Sequence, residues 1–472
     1  MVADLLDEVQ VAAVRGETAT TPVTSVEFDS RIAGSGALFC CVPGERTDGH
    51  DHAAEAVSRG ATSLLCEHFL DLEVTQVKVA SGGVRPAMAS VASAFFGHPS
   101  RSLQTVGVTG TNGKTTVTHL VRSILEADGR PTGVIGTLGG ERTTPESPDL
   151  QRQLATLVAE GRRAVALEVS SHALTQHRVD GIVFDVSAFT NLSRDHLDHH
   201  LTMDDYFEAK ASLFTPEFCR HAVVFADDPW GARLLERLEV GRVTAVHPSE
   251  AGDVELAVGR SRFTWRGHRI DLSMSGRFNV DNALVAAAVT TVLGVDEGTV
   301  ASGLASSPPV PGRMEVVGTG APVALLVDYA HTPAGLVVAL TAARAVAGSG
   351  RVLCVFGCGG DRDQGKRPQM GAVASKLADE VVLTSDNPRS EDPMAIIEEI
   401  RTGTVAGSSV AVVPDRAAAI REALQRARPG DVVLVAGKGH EATQTTHGVT
   451  VPFDDRQEAA RALEERFGGA TK

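Results

Sequence analysis

Short apolar runs alternate along most of the chain with segments whose apolar residues have helical spacing. Residues 103–108 form an apolar run typical of a buried strand. From Thr115 onward, apolar residues return every three or four positions, which predicts a helix with one buried face. Apolar runs at 164–169 and 183–189 predict two further strands. Strands that alternate with helices indicate a mostly parallel sheet with helices on both faces.

The last third of the chain repeats this pattern, which favours a second, Rossmann-like α/β unit. Its predicted strands are residues 323–327, 352–356, 380–383 and 431–436. The first hundred residues differ, because short β-like runs such as 37–42 accompany Ala-rich helical stretches at 53–60 and 86–96. They are typical of a small α/β domain.

Two stretches rich in helix-breaking residues, 97–100 and 306–312, divide the chain. A chain of 472 residues is also too long for a single core. We therefore expect an α/β protein with three domains. These are a small α/β N-terminal domain (1–101), a central mostly parallel sheet domain (102–310) and a C-terminal Rossmann-like domain (311–472).

Composition and charge exclude several classes of protein. The net charge of −15 and an aromatic content of 4% argue against a nucleic-acid-binding surface. The six cysteines show no CxxC pairing, which favours buried reduced thiols. The first residues lack the pattern of a signal peptide, and the most apolar long segment, 283–295, is too short to span a bilayer. We expect a cytoplasmic, monomeric protein that acts on small molecules, without nucleic-acid or membrane partners.

Residues 107–116 have the composition of a phosphate-binding loop between a strand and a helix, which makes the central domain a P-loop domain. Gly110 and Gly113 let backbone N–H groups approach phosphate oxygens, and the helix dipole favours the anion. Lys114 adds a positive charge, and Thr115 offers a hydroxyl to Mg²⁺. Position 108 is valine where the general pattern has glycine, so the loop is a variant. An ordinary Gly-rich turn is the alternative.

Polar residues follow the other two central strands, at the sheet edge where α/β proteins place ligands. Glu168 ends one strand and is a candidate Mg²⁺ ligand. Its alternatives are a helix N-cap or a local salt bridge. The histidine-rich run 190–199 follows the other strand, and a solvated loop or a zinc site is the alternative there.

Seven motifs occur in the order found in the Mur ligases of peptidoglycan synthesis, so the chain resembles that family over nearly its whole length. They are residues 107–116, 168–172, 191–198, 206–210, 276–282, 311–315 and 328–333. The resemblance implies that ATP phosphorylates a substrate carboxylate and that an amino acid's amine then attacks the acyl phosphate. A carboxylate is a poor electrophile, and phosphorylation supplies a good leaving group. The implied cofactors are ATP and Mg²⁺.

The resemblance also implies roles for residues of the central domain. His196 would hold a second Mg²⁺, and Lys210 would be carbamylated, although a surface helix lysine is its alternative. The implied catalytic residues are Lys114, Glu168, His196 and Lys210, and the implied metal ligands are Thr115, Glu168, His196 and carbamylated Lys210. The implied ATP contacts are Gly110, Thr111, Asn112, Gly113, Lys114, Thr115, Thr116, Asn282 and His331.

The amino acid to be added is indicated by residues 386–389, Asp-Asn-Pro-Arg, which resemble the signature of family members that add diaminopimelate. Arg389 follows a predicted strand, and its fork of donors can bind a carboxylate in bidentate fashion. The alternative is a turn residue paired with Glu391 or Asp392. The resemblance implies that diaminopimelate contacts Arg362, Asp386, Asn387, Pro388, Arg389, Gly437 and Glu441.

The nucleotide-sugar substrate would lie against the N-terminal domain, near residues 29–31 and a loop at 43–51. The implied contacts to this UDP-muramoyl dipeptide are Ser30, Thr143, Thr144, Ser170, Gln176 and Arg178. Four features depart from the family pattern: the connection 137–142 is short, Arg142 stands where an asparagine is common, Leu201 replaces a common glycine, and Ala334 replaces a common aspartate.

Together these motifs imply an ATP-dependent ligase that joins diaminopimelate to the D-glutamate of UDP-N-acetylmuramoyl-L-alanyl-D-glutamate. A lysine-adding ligase and a folylpolyglutamate synthase are alternatives within the enzymes. Arg389 argues against the first, and the N-terminal domain against the second. A catalytically degenerate nucleotide-binding scaffold is the alternative outside them.

Overall fold

The computed structural model of the chain describes residues 1–44, 47–140, 142–318 and 320–468. Glu45 and Arg46 of the predicted loop 43–51 lie outside the described residues, as does Glu141 of the short connection 137–142. Three α/β units follow one another along the chain, and each is built on its own sheet.

The N-terminal unit is a five-stranded sheet in the order β1-β5-β4-β3-β2. Its strands are β1 (Ala13–Arg15), β2 (Ser25–Glu27), β3 (Ala37–Cys40), β4 (Ser63–Cys66) and β5 (Thr75–Lys78). All pairs are parallel except β1 with β5. Its helices are α1 (Ala53–Ser58) and α2 (Val84–Phe95). Val84, Met88 and Val91 recur at helical spacing and are buried against β3, β4 and β5, so α2 closes one face of the sheet.

The central unit is a six-stranded sheet in the order β11-β10-β9-β6-β8-β7, with every pair parallel. Its strands are β6 (Gln104–Thr109), β7 (Thr132–Ile135), β8 (Ala164–Glu168), β9 (Phe184–Phe189), β10 (Cys219–Phe225) and β11 (Val243–Val246). The predicted parallel sheet is thus confirmed. Because β6 lies between β8 and β9, the glycine loop that follows β6 emerges between the carboxyl ends of both neighbours.

Helices cover both faces of the central sheet. They are α3 (Lys114–Ala127), α4 (Ser147–Ala159), α5 (Ser171–Thr175), α6 (Leu197–His200), α7 (Met203–Ala211), α8 (Pro229–Leu235), α9 (Arg277–Val292) and α10 (Glu297–Ala305). Val117, Leu120 and Ile124 of α3 are fully buried, as the spacing after Thr115 predicts. Helix α3 packs against α9 and α10 as well as the sheet, which fixes the direction in which its N-terminus points.

A three-stranded antiparallel sheet in the central unit was missed by the sequence analysis. Its strands are β12 (Gly252–Ala257), β13 (Arg260–Trp265) and β14 (His268–Leu272). Buried residues alternate with charged ones along β13, where Phe263 and Trp265 enter the core and Arg260 and Arg262 stay outside. This alternation with period two is typical of a sheet with one wet face, but charged residues interrupt any apolar run.

The C-terminal unit is a six-stranded sheet in the order β15-β16-β20-β17-β18-β19, and only its β15–β16 pair is antiparallel. Its strands are β15 (Glu315–Val316), β16 (Ala324–Asp328), β17 (Val352–Phe356), β18 (Glu380–Leu383), β19 (Val410–Val412) and β20 (Val432–Ala436). Its helices are α11 (Pro333–Ala347), α12 (Lys366–Leu377), α13 (Pro393–Thr402), α14 (Arg416–Arg426) and α15 (Asp455–Phe467). The Rossmann-like prediction is confirmed. A polar hairpin, β21 (Thr443–Thr446) with β22 (Val449–Pro452), was not foreseen.

The cysteines and the apolar helices can also be compared with the sequence predictions. All six cysteines are free and buried, as their spacing indicated. Across the described ranges, no helix is long and apolar enough to cross a bilayer. The domain limits at 101/102 and 310/311 stay predictions, and they fall within the turn Pro99–Ser102 and between α10 and β15.

Candidate active site

A cavity of about 1170 Å³ lies between the central and C-terminal units. Its walls are the loops that follow β6, β8 and β9 on one side and β16, β17, β18 and β20 on the other. The carboxyl ends of two parallel sheets therefore face a common space, as expected for ligand sites in open α/β sheets.

The glycine loop takes a backbone path that only glycine allows at two points. Gly110 has φ +147° and Gly113 has φ +88°. A Cβ at Gly110 would lie 2.0 Å from Thr190 Oγ1, and one at Gly113 would lie 2.5 Å from Asn282 Oδ1. The loop is also tied to β9's end, because Asn112 N donates to Asn191 Oδ1 at 3.0 Å. The loop is therefore held in one shape, with α3 starting directly behind it.

Two lysines meet at one carbonyl of this loop. Lys114 Nζ donates to the Gly110 and Thr111 carbonyls, each at 2.9 Å, and Lys210 Nζ donates to the Gly110 carbonyl at 2.9 Å. Burial lowers the pKa of Lys114. Lys210 is only 1% exposed, and burial together with the nearby Lys114 holds the pKa of Lys210 well below its usual value. The interpretation of Lys210 as a surface lysine is thus wrong.

Glu168 is buried at the end of β8 and accepts three hydrogen bonds. Its carboxylate accepts from Thr115 Oγ1 at 3.0 Å, from Thr137 N at 2.9 Å and from Thr137 Oγ1 at 3.1 Å. The carboxylate neither caps a helix nor pairs with a basic side chain. The glycine-loop hydroxyl and the strand-end carboxylate that the sequence singled out therefore lie in direct contact.

An imidazole and a carboxylate follow β9 beside the loop. His196 Nε2 lies 3.4 Å from Asp195 Oδ2, and His331 Nε2 from the C-terminal unit lies 3.8 Å from the same oxygen. Burial lowers the pKa of His196 to about 4, so its imidazole is neutral at pH 7. Burial opposes ionisation of Asp195, but both imidazoles and Lys366 outweigh it and lower the pKa of Asp195 to about 2. The charged carboxylate thus joins the two units.

Arg313 is a second link between the units and was given no role by the sequence analysis. Its Nη2 donates to Thr115 Oγ1 at 3.0 Å, and its guanidinium stacks 4.5 Å from the centre of the Tyr329 ring. Asp328 accepts from Met314 N at 2.7 Å and so fixes the turn that presents Arg313. A cation of the C-terminal unit therefore reaches the hydroxyl expected to face Mg²⁺.

Arg389 lines the C-terminal side of the cavity. Its Nη1 donates to the Gly360 carbonyl at 2.7 Å, and its backbone, at φ +53°, pairs with Thr445 of β21. The alternative pairing with Glu391 is wrong, because Glu391 binds Arg367 through two hydrogen bonds of 2.8 Å. Asp392 instead caps α13. Among the described residues, the guanidinium is thus held by one hydrogen bond, which leaves its other donors available to a ligand.

Glu441 lies near Arg389 but already has two partners. Its Oε2 accepts from Asn387 Nδ2 at 2.8 Å and from buried Lys438 Nζ at 3.0 Å. Gly437 has φ +117°, and a Cβ there would lie 2.7 Å from Asp386 Oδ2. Glu441 and Asp386 form an acidic wall next to the guanidinium, which suits a ligand that carries both an ammonium and a carboxylate.

Residues proposed for the sugar-peptide substrate lie partly in the same cavity. Thr143, Thr144, Ser170 and Arg178 line it. Arg178 donates to the Thr144 carbonyl at 2.9 Å and pairs with Glu146 at 2.9 Å. These contacts hold a hydroxyl-rich wall beside Glu168.

The structure brings together most of the predicted site residues but not all. Within the described ranges, five predicted site residues do not line the cavity: Gly110, Lys210, Ser30, Gln176 and Pro388. Lys210 instead donates to the Gly110 carbonyl. Ser30 lies in the N-terminal unit, bonded to Glu55 at 2.8 Å, and Gln176 accepts from Arg178 at 2.6 Å. The sequence analysis gave no role to Asp195, Asp328, Thr137, Arg313 or Lys366. Asp195, Asp328 and Arg313 stand inside the quoted motifs, and that signal could have found them.

One exposed position next to the site is strained. Leu201, where the sequence pattern favours glycine, has φ +55° and ψ −50° and is 81% exposed. Thr202 N donates to the His200 carbonyl at 2.5 Å, which closes a γ-turn of the rare, strained type.

Comparison with known proteins gives consistent matches along the chain. Residues 22–103 match the profile of the Mur ligase family catalytic domain, 108–290 the Mur ligase middle domain, and 312–439 the Mur ligase glutamate ligase domain. Proteins named UDP-N-acetylmuramoyl-L-alanyl-D-glutamate–2,6-diaminopimelate ligase are 42% identical in Gloeobacter violaceus and 44% in Geobacillus kaustophilus. The alignments cover 94% of this chain in both cases, with 94% and 95% of the relatives.

Solved structures share the fold. A structure named as the same diaminopimelate ligase has a TM-score of 0.67 and 29% identity, covering 98% of this chain and 99% of that chain. MurF ligase from Thermotoga maritima, solved with ADP, has a TM-score of 0.65 and 20% identity, covering 95% of this chain and 98% of that one. The three-unit architecture is therefore common to these proteins.

Proposed function

We propose that this chain, which belongs to the Mur ligase family, joins 2,6-diaminopimelate to the D-glutamate of UDP-N-acetylmuramoyl-L-alanyl-D-glutamate, using ATP. Relatives with this name align over almost the whole chain. The observation that carries the proposal is one cavity with a phosphate loop at one wall and Arg389 beside Glu441 and Asp386 at the other. The chain is accordingly an acid–amino-acid ligase of peptidoglycan synthesis.

The first step uses the wall formed by the glycine loop. An oxygen of the D-glutamate carboxylate bonds to the γ-phosphorus of ATP, the bond to the β-phosphate oxygen breaks, and ADP leaves. The backbone N–H groups at the start of α3 and the Lys114 ammonium bind the phosphate oxygens. Arg313, bonded to Thr115 on the same wall, adds a positive charge from the opposite unit.

The second step uses the C-terminal wall. The amine of diaminopimelate bonds to the carbonyl carbon of the acyl phosphate, the bond to the phosphate oxygen breaks, and phosphate leaves with the electron pair. The amine nitrogen loses a proton as the amide forms, and this proton ends on the leaving phosphate. Arg389 holds the distal carboxylate of the amino acid and Glu441 its distal ammonium, which sets the reacting amine at the other end. Arg362, Asp386, Asn387, Pro388 and Gly437 complete the proposed subsite.

The donor set on the glycine-loop side fits Mg²⁺. Thr115 and Glu168 offer hard oxygen atoms in contact with each other, and His196, a neutral imidazole, lines the same cavity. In the part of the chain that the structure describes, no three His, Cys, Asp or Glu side chains form a ready metal cage. This suits Mg²⁺, which keeps waters and phosphate oxygens as ligands, better than zinc. When bound, Mg²⁺ would offset the negative charge on the phosphoryl group.

Lys210 fits the chemistry of a carbamate. The nucleophile that captures carbon dioxide is a neutral amine, and the lowered pKa of Lys210 favours that form. A carbamate would turn a buried cation beside Lys114 into an anion that faces it. After equilibration with ¹³C-labelled bicarbonate, wild-type protein should show a carbamate carbon signal that Lys210→Met lacks. Equal spectra for both proteins would contradict this assignment.

The remaining substrate contacts follow from the cavity's other walls. We assign the sugar-peptide to Thr143, Thr144, Ser170 and Arg178, with Gln176 holding Arg178. Ser30 would meet the uridine end, outside the cavity. The nucleotide would contact Gly110, Thr111, Asn112, Gly113, Lys114, Thr115, Thr116, Asn282 and His331. ATP and UDP-linked precursors are cytoplasmic metabolites, so we expect a cytoplasmic protein. We also expect it to act as a monomer.

Turnover separates an enzyme from a degenerate scaffold. Purified protein with ATP, Mg²⁺ and the UDP-muramoyl dipeptide should release ADP only when diaminopimelate is added. Lys114→Met should abolish this release, because the phosphate wall loses its cation. ADP release that does not depend on either substrate, or none at all, would contradict the proposed function.

A further inference from the structure

Lys366 is a buried cation on the C-terminal wall of the cavity that the proposed reaction has not used. It is the first residue of α12, is 7% exposed, and lines the cavity. Among the residues that the structure describes, it has no hydrogen-bond acceptor and no carboxylate within ion-pair distance. Most of the side chain is buried, and its ammonium is available to an anionic ligand in the cavity.

Four other cations at or next to the site differ from Lys366 because each already has acceptors. Lys114 and Lys210 donate to loop carbonyls, Lys438 donates to Glu441, and Arg313 donates to Thr115. Within the described part of the chain, Lys366 is therefore a buried cation of this cavity that has no hydrogen-bond acceptor.

The surroundings of Lys366 favour an anion rather than a second cation. Lys366 is the first residue of the twelve-residue helix α12, whose N-terminal end carries a partial positive charge, and it lines the cavity itself. Three titratable groups interact with Lys366: Asp195, His331 and the buried thiol of Cys358. Asp195 belongs to the loop after β9, on the glycine loop's side of the cavity, whereas His331 belongs to the C-terminal unit. The ammonium thus faces the phosphate wall across the gap between the units.

The loop before α12 is tied to the central unit. Asp363 Oδ1 accepts from Gly365 N at 2.9 Å, and its Oδ2 lies 3.6 Å from Arg194 Nε. Arg194 follows β9, in the same loop as Asp195 and His196. This link keeps the start of α12 close to the loop after β9. In the proposed reaction, the phosphoryl group is transferred beside that loop.

We propose that Lys366 is a catalytic residue that binds the oxygens of the transferring phosphoryl group from the side opposite Lys114. This proposal rests on the proposed ligase function. As the carboxylate oxygen bonds to the γ-phosphorus and the bond to ADP breaks, the equatorial oxygens keep their negative charge between two lysines. Lys366 gives up no proton in this step. It then stays on the phosphate that leaves when the amine attacks.

Kinetics of matched variants test the proposal. Lys366→Met should lower kcat about 100- to 1000-fold, the usual cost of removing one preorganised donor to transition-state charge. KM for diaminopimelate should change by no more than roughly threefold, and Lys366→Arg should restore part of kcat. Lys376→Met, at the exposed end of the same helix, is the control and should match wild type. A raised KM for diaminopimelate with normal kcat would overturn the proposal in favour of an amino-acid contact.

A binding measurement tests Lys366 without any turnover. ADP with Mg²⁺ and aluminium fluoride resembles a phosphoryl group in transfer, whereas ADP alone does not. Wild type should bind the fluoride complex more tightly than ADP, and Lys366→Met should lose most of that gain while binding ADP normally. Equal gains in both proteins, or no gain in wild type, would overturn the proposal. Failure of the proposed function would instead appear as wild-type protein that binds the complex but never consumes diaminopimelate.

Discussion

Replacing Arg389 by lysine should weaken the use of diaminopimelate while leaving chemistry with other amino acids unchanged. The guanidinium is held by one bond of 2.7 Å from Nη1 to the Gly360 carbonyl. Its backbone is fixed at φ +53° by the strand β21. The remaining donors form a preorganised fork, and a lysine ammonium offers one point charge without the anchor to Gly360.

The size of the effect follows from the bond that is lost. A hydrogen bond to a charged group contributes about 1.5–3 kcal/mol, and about 1.4 kcal/mol is a factor of ten. Arg389 is half-buried, so solvent screening favours the lower part of this range. Arg389→Lys should therefore raise KM for diaminopimelate roughly 10- to 50-fold. Arg389→Met, which removes both the fork and the charge, should raise it further.

Initial rates of ADP release at saturating ATP and UDP-muramoyl dipeptide measure this effect. Arg401→Lys is the matched control, because Arg401 is exposed on α13 and pairs only with neighbouring Glu398. Lysine as the alternative substrate gives a second control, since it has no distal carboxylate. An unchanged KM for diaminopimelate, or an equal rise for both amino acids, would refute the role given to Arg389.

Three further predictions concern other parts of the site and fold. Leu201→Gly should raise the free energy of unfolding by about 1 kcal/mol in urea titrations. Glycine relieves the strained turn, and its greater freedom in the unfolded chain offsets part of that gain. A loss of stability would contradict this. Arg416→Met should lower it by about 3–5 kcal/mol by leaving buried Asp455 unpaired. The double variant Arg416→Met/Asp455→Leu should recover most of that loss, and no recovery would argue against an uncompensated charge as the cause. Arg313→Lys should lower kcat at least about tenfold with KM for diaminopimelate unchanged, because the bond to Thr115 is lost; a change confined to KM would contradict this.

The glycine loop and Glu168 could be predicted from sequence because both stand directly after apolar runs. A parallel sheet carries strand ends to one edge, so position in the pattern is enough to place them together. The same reasoning located Arg389 after β18. Each of these residues was located from its position after an apolar run, together with the rule that parallel strands end at the same edge of a sheet.

Contacts between units could not be predicted in this way. Arg313 and Thr115 are 198 positions apart, and nothing in either segment specifies the other. Lys366 looks like an ordinary helix-start lysine until the two units are assembled. The missed strands have a different cause, since β13 carries its arginines on the wet face and thus lacks a continuous apolar run.

Selection of diaminopimelate over lysine can be measured in a single competition experiment. The most direct measurement supplies equal concentrations of diaminopimelate and lysine to wild-type protein, with ATP, Mg²⁺ and the UDP-muramoyl dipeptide, and weighs the products by mass spectrometry. We expect almost exclusively the diaminopimelate tripeptide from wild type, and a shift towards the lysine product in Arg389→Met. Comparable amounts of both tripeptides from wild type would contradict this expectation.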